Sequence, residues 1–228
     1  MPQPSDTHNV DLDQSPRFIA IEGCIGVGKT SLATRLAETL ESELLLEKAE
    51  DNPFLPKFYV NKKDTALSTQ LFFLLQRAEQ LKSLRQSDLF SAQYVADFLI
   101  DKDPLFANIN LSSDEFDLYK QVFDNLTIEA PTPDLIIYLQ APIDVLKDRI
   151  RSRGRRFEQH IDTRYLEQIN KAYSEYFYYY DASPLLILNV AELDFINNEE
   201  HYAELVQYAL TIKSGRHYFN PTFFSSQA

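Results

Sequence analysis

The stretch GCIGVGKT, Gly23 to Thr30, contains three of the five glycines of this 228-residue chain. Glycines let backbone N–H groups approach phosphate oxygens closely, and the Gly-Lys-Thr ending adds a lysine charge for the β- and γ-phosphates and a hydroxyl ligand for Mg²⁺. The pattern therefore predicts a phosphate-binding loop (P-loop) for a nucleoside triphosphate, ATP, with Mg²⁺. The residues predicted to bind it are Gly23, Cys24, Ile25, Gly26, Val27, Gly28, Lys29, Thr30 and Ser31.

A second basic cluster, RIRSRGRRFEQ, lies much further along the chain, from Arg149 to Gln159. Two interpretations are open. The arginines could form a solvated helix end that complements the helix dipole, or a lid that closes over the transferring phosphoryl group with Arg149, Arg153 and Arg155. Together with the P-loop, a lid of this kind favours a small-molecule kinase over a GTPase or a motor.

Two carboxylates end apolar segments that are predicted to be strands. Glu47 follows LLL, and Asp97 follows QYVA. In an open parallel sheet, the carboxyl ends of the strands face the ligand, so Asp97 is predicted to assist Thr30 in binding Mg²⁺. Glu47 could take a proton from an alcohol nucleophile, although a solvated strand end is an equally simple interpretation from the residues alone.

Strands and helices alternate along the chain, which indicates a parallel sheet covered by helices on both faces. The predicted fold is a P-loop NTPase-type three-layer α/β/α domain with a five-stranded parallel sheet and an Arg-rich lid. The strands are expected at 17–22, 44–47, 93–98, 133–140 and 184–190. The helices are expected at 29–43, 66–85, 113–127, 142–154, 163–180 and 197–213. We expect a flexible tail at 1–16, one domain at 17–212, and a C-terminal tail at 213–228.

Composition limits the possible partners. A net charge of −12 argues against a nucleic-acid surface, and no apolar run approaches the 18 or so residues of a membrane span. The single cysteine excludes an intramolecular disulfide, and the polar first residues do not resemble a signal peptide. These features predict a cytoplasmic protein.

The sequence resembles the deoxynucleoside kinases of the deoxycytidine/deoxyguanosine kinase family, in particular its bacterial members. The resemblance covers about residues 17–200 and rests on five segments with their spacing kept: IAIEGCIGVGKT, LLLEKAEDNPFLPKFY, TQLFFLLQR, RSRGRRFEQHIDTRYLE and NVAELDF. It implies phosphoryl transfer from ATP–Mg²⁺ to the 5′-hydroxyl of a deoxynucleoside, and it also implies a homodimer.

The resemblance implies a role for each matching residue. Glu47 is expected to be the general base, Gln70 and Arg77 to meet the edge of the nucleobase, and Tyr59 and Glu158 to bind the sugar 3′-hydroxyl. Gln70 and Arg77 are two helical turns apart and so share a helix face. Three phenylalanines, Phe54, Phe72 and Phe73, are candidates for the pocket wall or for the core.

The chain departs from the family pattern at several positions. Ala96, Asp97 and Phe98 align with a common Glu-Arg-Ser motif, so its arginine is absent. Lys102 aligns where family members often place an Asp that reads the base, and it is predicted to bind substrate. We expect a purine deoxynucleoside as the preferred acceptor. Cys24 replaces the more usual Asn and is expected to fill space, with a redox role as the alternative.

Two other functions remain open at this point. A nucleoside monophosphate kinase of the thymidylate type shares the P-loop and lid, but the acids of EKAEDNPFLPKFY favour an uncharged acceptor over one that carries a phosphate. A non-catalytic nucleotide-binding regulator would fit the missing arginine, but Glu47, Lys29 and the lid arginines are retained.

Overall fold

The computed structural model describes residues 16–86, 93–127, 130–191 and 193–219. Within these residues, six strands form one sheet in the order β2-β3-β1-β4-β5-β6, and every neighbouring pair is parallel. The strands are β1 Phe18–Gly23, β2 Glu43–Leu45, β3 Tyr94–Ala96, β4 Leu135–Gln140, β5 Leu185–Asn189 and β6 Arg216–Phe219. The P-loop α/β fold is confirmed, but the prediction of five strands is wrong by one.

Eight α-helices surround the sheet in the described part of the chain. They are α1 Lys29–Thr39, α2 Leu55–Val60, α3 Lys62–Gln86, α4 Asp103–Asn110, α5 Ser113–Thr127, α6 Ile143–Arg153, α7 Thr163–Tyr179 and α8 Glu199–Thr211. Short 3₁₀ helices lie at Ala49–Asp51, Ile100–Lys102 and Arg156–His160. The sequence prediction missed α2 and α4.

Strand β1 lies inside the sheet, between β3 and β4, and all six of its residues are buried. A strand buried on both faces needs a helical layer on each side of the sheet. The register places Ile19 of β1 opposite Val95 of β3 and Leu135 of β4, so apolar side chains meet across the middle of the sheet. This rigid centre fixes the end of β1, where the P-loop begins.

The sixth strand lies inside the segment that was predicted to be a C-terminal tail. Residues Arg216–Phe219 pair with Leu185–Leu188 of β5, and the Phe219 ring is buried against Tyr208 of α8. The segment RHYF carries no clear strand signal because it is short and polar at its start. The predicted tail at 1–16, apart from Pro16, and residues 220–228 lie outside the described part of the chain.

Candidate active site

The P-loop joins the end of β1 to the start of α1. Gly28, the residue before α1, has φ 109°, and a Cβ on Gly23 would lie 2.5 Å from the carbonyl oxygen of Leu139. Only glycine fits both positions without strain. The Lys29 Nζ donates to the carbonyl oxygens of Gly23 (2.8 Å) and Cys24 (3.3 Å), so the lysine lies along the inside of the loop.

Six of the nine predicted P-loop residues fall into two groups. Cys24 and Val27 are buried beneath the loop, whereas Ile25, Gly26, Lys29 and Thr30 line a cleft of about 840 Å³, counted out to its open mouth. Burial raises the pKa of Cys24 to about 12. Its thiol therefore stays protonated near neutral pH, which favours the space-filling interpretation over a redox role.

The two carboxylates that follow β2 and β3 meet beside the P-loop. Asp97 accepts a hydrogen bond from the Thr30 hydroxyl at 2.6 Å and another from the Glu47 backbone N–H at 2.7 Å. Burial raises the pKa of Asp97, and the Thr30 hydrogen bond opposes this only in part. A bound cation would favour the ionised form of Asp97.

Glu47 is ion-paired with Arg77, which also donates to Asp103 at 2.6 Å. Burial alone would raise the pKa of Glu47, but the charges of Arg77 and of two lysines outweigh it and hold the pKa below its ordinary value. Glu47 is therefore ionised near neutral pH, as a general base must be. Arg77 was predicted to meet the nucleobase, but here its guanidinium is shared between two carboxylates.

The cleft continues past Glu47 to the remaining predicted substrate residues. Gln70 is buried on α3 and lines the cleft on the same helix face as Arg77. Its side-chain amide makes no hydrogen bond with the residues that the structure describes. Phe73 also lines the cleft, whereas Phe54 and Phe72 do not line it.

Tyr59 and Glu158 lie on the wall formed by α2 and the lid. The Tyr59 ring stacks on Phe157 with a centroid separation of 6.3 Å, and both Tyr59 and Glu158 line the cleft. Burial raises the pKa of Tyr59 well above its usual value, and the nearby Tyr165 and Glu158 add to the effect. The Tyr59 hydroxyl is therefore a neutral hydrogen-bonding group.

The lid arginines are held by carboxylates in this structure. Arg153 donates twice to Glu158, at 2.6 and 3.0 Å, and Arg155 pairs with Glu50 at 2.7 Å. Both arginines line the cleft. Helix α6 ends at Arg153 and is followed by Gly154, which has φ 71°, so the lid turns at the end of the helix predicted for 142–154.

Arg149 lies outside the cleft, unlike the other two predicted catalytic arginines. Its guanidinium donates to the carbonyl oxygens of Val27 at 2.9 Å and Val190 at 2.7 Å. It therefore joins the back of the P-loop to the end of β5. In this arrangement Arg149 supports the loop and does not face the phosphate site.

Lys102 is buried and lines the cleft. Its Nζ lies 3.2 Å from Oε1 of Glu22 and 3.0 Å from the hydroxyl oxygen of Tyr173. An aspartate does lie beside Arg77, but it is Asp103, one position after the residue that aligns with the family's Asp. Sequence reasoning missed the roles of Asp103, Glu22 and Tyr173. The available signal was Glu22 itself, a charged residue at the end of an otherwise apolar segment.

Comparison with known proteins decides the family. The family model described as "Deoxynucleoside kinase" matches residues 19–212. The chain belongs to the deoxynucleoside kinase family. It is an ATP-dependent deoxynucleoside kinase, as the sequence predicted.

Individual relatives agree with the family match. A deoxyguanosine kinase of Bacillus subtilis is 43% identical over 157 residues, which cover 68% of this chain and 76% of the relative. A deoxyadenosine kinase of Lactobacillus acidophilus is 32% identical over 206 residues, covering 84% of this chain and 94% of the relative. The solved structure of deoxyadenosine kinase from M. mycoides with bound dATP superposes with a TM-score of 0.73 at 27% identity, covering 84% of this chain and 98% of that one.

The described residues contain no cluster of three or more His, Cys, Asp or Glu side chains that could hold a metal ion. No helix in the same residues is both long and apolar enough to span a membrane.

Proposed function

We propose that this kinase transfers the ATP γ-phosphoryl group to the 5′-hydroxyl of a purine deoxynucleoside. The observation that carries the proposal is the position of Glu47, an ionised carboxylate in the same cleft as the P-loop lysine. The 5′-oxygen attacks the γ-phosphorus and its proton passes to Glu47. The bond from the γ-phosphorus to the β–γ bridging oxygen breaks, and ADP leaves with that oxygen.

Phosphate binding is assigned to the P-loop and the lid. Backbone N–H groups of residues 23–31 surround the phosphate chain, and Lys29 exchanges its loop carbonyl contacts for phosphate oxygens. Arg153 and Arg155 face the same cleft from the lid and can stabilise charge on the transferring group. Arg149 acts indirectly, because its hydrogen bond to the carbonyl oxygen of Val27 fixes the P-loop.

Thr30 and Asp97 are the residues that would hold Mg²⁺. Their oxygens already lie at hydrogen-bond distance from each other beside the cleft, and hard oxygen donors are what Mg²⁺ prefers. Mg²⁺ is commonly held by one or two protein oxygens together with substrate phosphates, so two protein donors are enough. When bound, the ion would neutralise charge on the β- and γ-phosphates.

The nucleobase is assigned to the end of the cleft at Gln70. A Gln amide donates and accepts at once, and it can meet a purine through both the ring nitrogen N7 and the exocyclic group. Asp103 and Glu47 hold the Arg77 guanidinium, which leaves the Gln70 amide as the group free to bind the base. The relatives named for deoxyguanosine and deoxyadenosine support the purine assignment.

The sugar is assigned to Tyr59 and Glu158. Both line the cleft, on the wall formed by α2 and the lid, and a neutral phenol with a carboxylate suits a 3′-hydroxyl. We also propose that the protein is a cytoplasmic homodimer and binds neither nucleic acid nor membranes. The acidic net charge supports the absence of nucleic-acid binding, and the single, buried, free cysteine fits a reducing compartment.

The test is a panel of the four deoxynucleosides with ATP–Mg²⁺, compared by kcat/KM, because specificity is a ratio of these values. We expect deoxyadenosine or deoxyguanosine to give the highest value. The variant Gln70→Leu should lower kcat/KM for the preferred purine deoxynucleoside. It should also narrow the differences in kcat/KM among the four deoxynucleosides. A tenfold or greater advantage for deoxycytidine or thymidine would overturn the purine assignment and leave the kinase activity standing.

A further inference from the structure

Lys102 is buried and already contacts other protein groups, unlike a side chain whose polar group is available to bind a ligand. It is only 2% exposed, its Nζ lies 3.0 Å from the Tyr173 hydroxyl and 3.2 Å from Glu22, and it lies 4.7 Å from the centre of the Phe106 ring. A buried ammonium is costly unless it is paired, so these contacts hold the charge in one place at the wall of the cleft.

The carboxylate of Glu22, the ion-pair partner of Lys102, is also fixed by hydrogen bonds. It is fully buried, and its carboxylate accepts hydrogen bonds from the Gly23 backbone N–H (3.1 Å), the Leu99 backbone N–H (2.6 Å) and the Tyr173 hydroxyl (2.8 Å). Gly23 is the first residue of the P-loop, and its carbonyl oxygen binds the Nζ of Lys29. Lys102 is therefore connected to the phosphate-binding loop through one residue.

The charges nearest to Lys102 also belong to the reacting end of the cleft. Burial lowers the pKa of Lys102; Glu22 and Glu47 oppose this, and Arg77 and Lys29 reinforce it. Lys102 and Glu47 line the same cleft. A fixed cation in a poorly solvated cleft acts over several ångströms, so direct contact with Glu47 is not required.

We propose that Lys102, fixed by Glu22 and Tyr173, is a positioning residue for phosphoryl transfer and not a reader of the nucleobase. It places an ammonium group, paired with Glu22, in the cleft shared by the proposed base Glu47 and the P-loop, and Glu22 couples it to the first residue of that loop. This inference rests on the proposed function, in which Glu47 receives the proton of the 5′-hydroxyl. It replaces the expectation that Lys102 binds the purine edge.

The two roles predict different kinetics. If Lys102 supports the reacting end, Lys102→Met should lower kcat by about tenfold or more for every accepted deoxynucleoside while KM values and the ratios among bases stay within about twofold. Lys102→Arg, which keeps the charge, should recover a large part of kcat. A base-reading role would instead change the ratios among deoxynucleosides and leave kcat for the preferred one nearly intact.

Folding must be separated from catalysis, because Lys102→Met leaves Glu22 buried without its counter-charge. The double variant Glu22→Gln, Lys102→Met removes both charges and should fold, as measured by thermal unfolding, yet remain slow. Tyr173→Phe removes only the hydroxyl that binds both residues and should lower kcat with unchanged base ratios. Tyr176→Phe, on the same helix and outside the cleft, is the matched control and should retain full kcat.

The outcomes also distinguish this inference from the proposed function. Wild-type protein that phosphorylates no deoxynucleoside would overturn the function before any variant is compared. An active wild type with folded Lys102→Met, double and Tyr173→Phe variants of unchanged kcat would overturn the inference alone. A tenfold change in the ratios of kcat/KM among the deoxynucleosides would also overturn the inference, and it would restore the base-reading role of Lys102.

Discussion

At the scale of single residues, the catalytic proposal depends on Glu47. Its position after β2 could be predicted from an apolar run ending in an acid, but its ion pair with Arg77 could not, because the two residues are thirty positions apart. The pair explains how a carboxylate in a mostly buried cleft stays ionised. It also implies that Glu47 can be neutralised without losing the fold, since Arg77 keeps Asp103.

We therefore expect Glu47→Gln to lower kcat by about 100-fold or more, the usual contribution of a positioned general base, with little change in the KM for the deoxynucleoside. Steady-state kinetics with saturating ATP would measure both values. Glu43→Gln, at the exposed start of β2, is the control and should behave as wild type. A variant that raised KM and kept kcat would show that Glu47 only binds substrate.

Other residues show why a linear sequence predicts a site only in part. Lys29, Thr30 and Asp97 were predicted from motif and strand ends, and all three line the cleft because the parallel sheet brings strand ends together. Arg149 belongs to the same basic cluster as Arg153 but points to backbone carbonyls. Which arginine of a cluster faces a ligand depends on the helix phase and the lid turn, which composition does not reveal.

At the scale of elements, the strongly patterned ones were predicted well. Strand β1, β4 and helix α5 follow from apolar runs and helical spacing, and α6 begins directly after Pro142, as expected for a proline at a helix start. Strand β6 could not be predicted, because an edge strand of four residues carries little hydrophobic periodicity. Its stability comes from pairing with β5 and from one buried ring.

That argument predicts a contrast between adjacent residues of β6. Phe219 is buried against Tyr208, so Phe219→Ala should lower the free energy of unfolding by about 3 kcal/mol. Tyr218 is 67% exposed, so Tyr218→Ala should change it by less than about 0.5 kcal/mol. Urea titration followed by circular dichroism would measure both, and equal effects would show that β6 is not packed on the domain.

At the scale of the whole molecule, the site is assembled from distant parts of one sheet and its helices. Three strand ends supply Glu22, Glu47 and Asp97, while α3 and the lid close the cleft from two sides. The proposed catalysis therefore depends on the buried central strands. The partner subunit of the proposed homodimer would contact the outer surface of the helices.

The homodimer is a prediction about that outer surface. Helices α3 and α5 pack on each other and expose three leucines, Leu75, Leu118 and Leu126, which are 53%, 49% and 42% accessible. Apolar side chains on neighbouring helices favour a helix-to-helix interface between two copies, because a two-fold interface buries the same patch twice. We expect sedimentation velocity to give twice the 26.4 kDa mass of the chain.

A single charge should decide whether these helices form the interface. Leu118→Glu would bury a carboxylate without a partner at such an interface, which is costly, and should give a monomer at micromolar concentration. Ile196→Glu places the same charge at a 52% exposed residue before α8 and should leave the dimer intact. A monomeric wild type would refute the dimer, and dissociation by Ile196→Glu alone would place the interface elsewhere on the molecule.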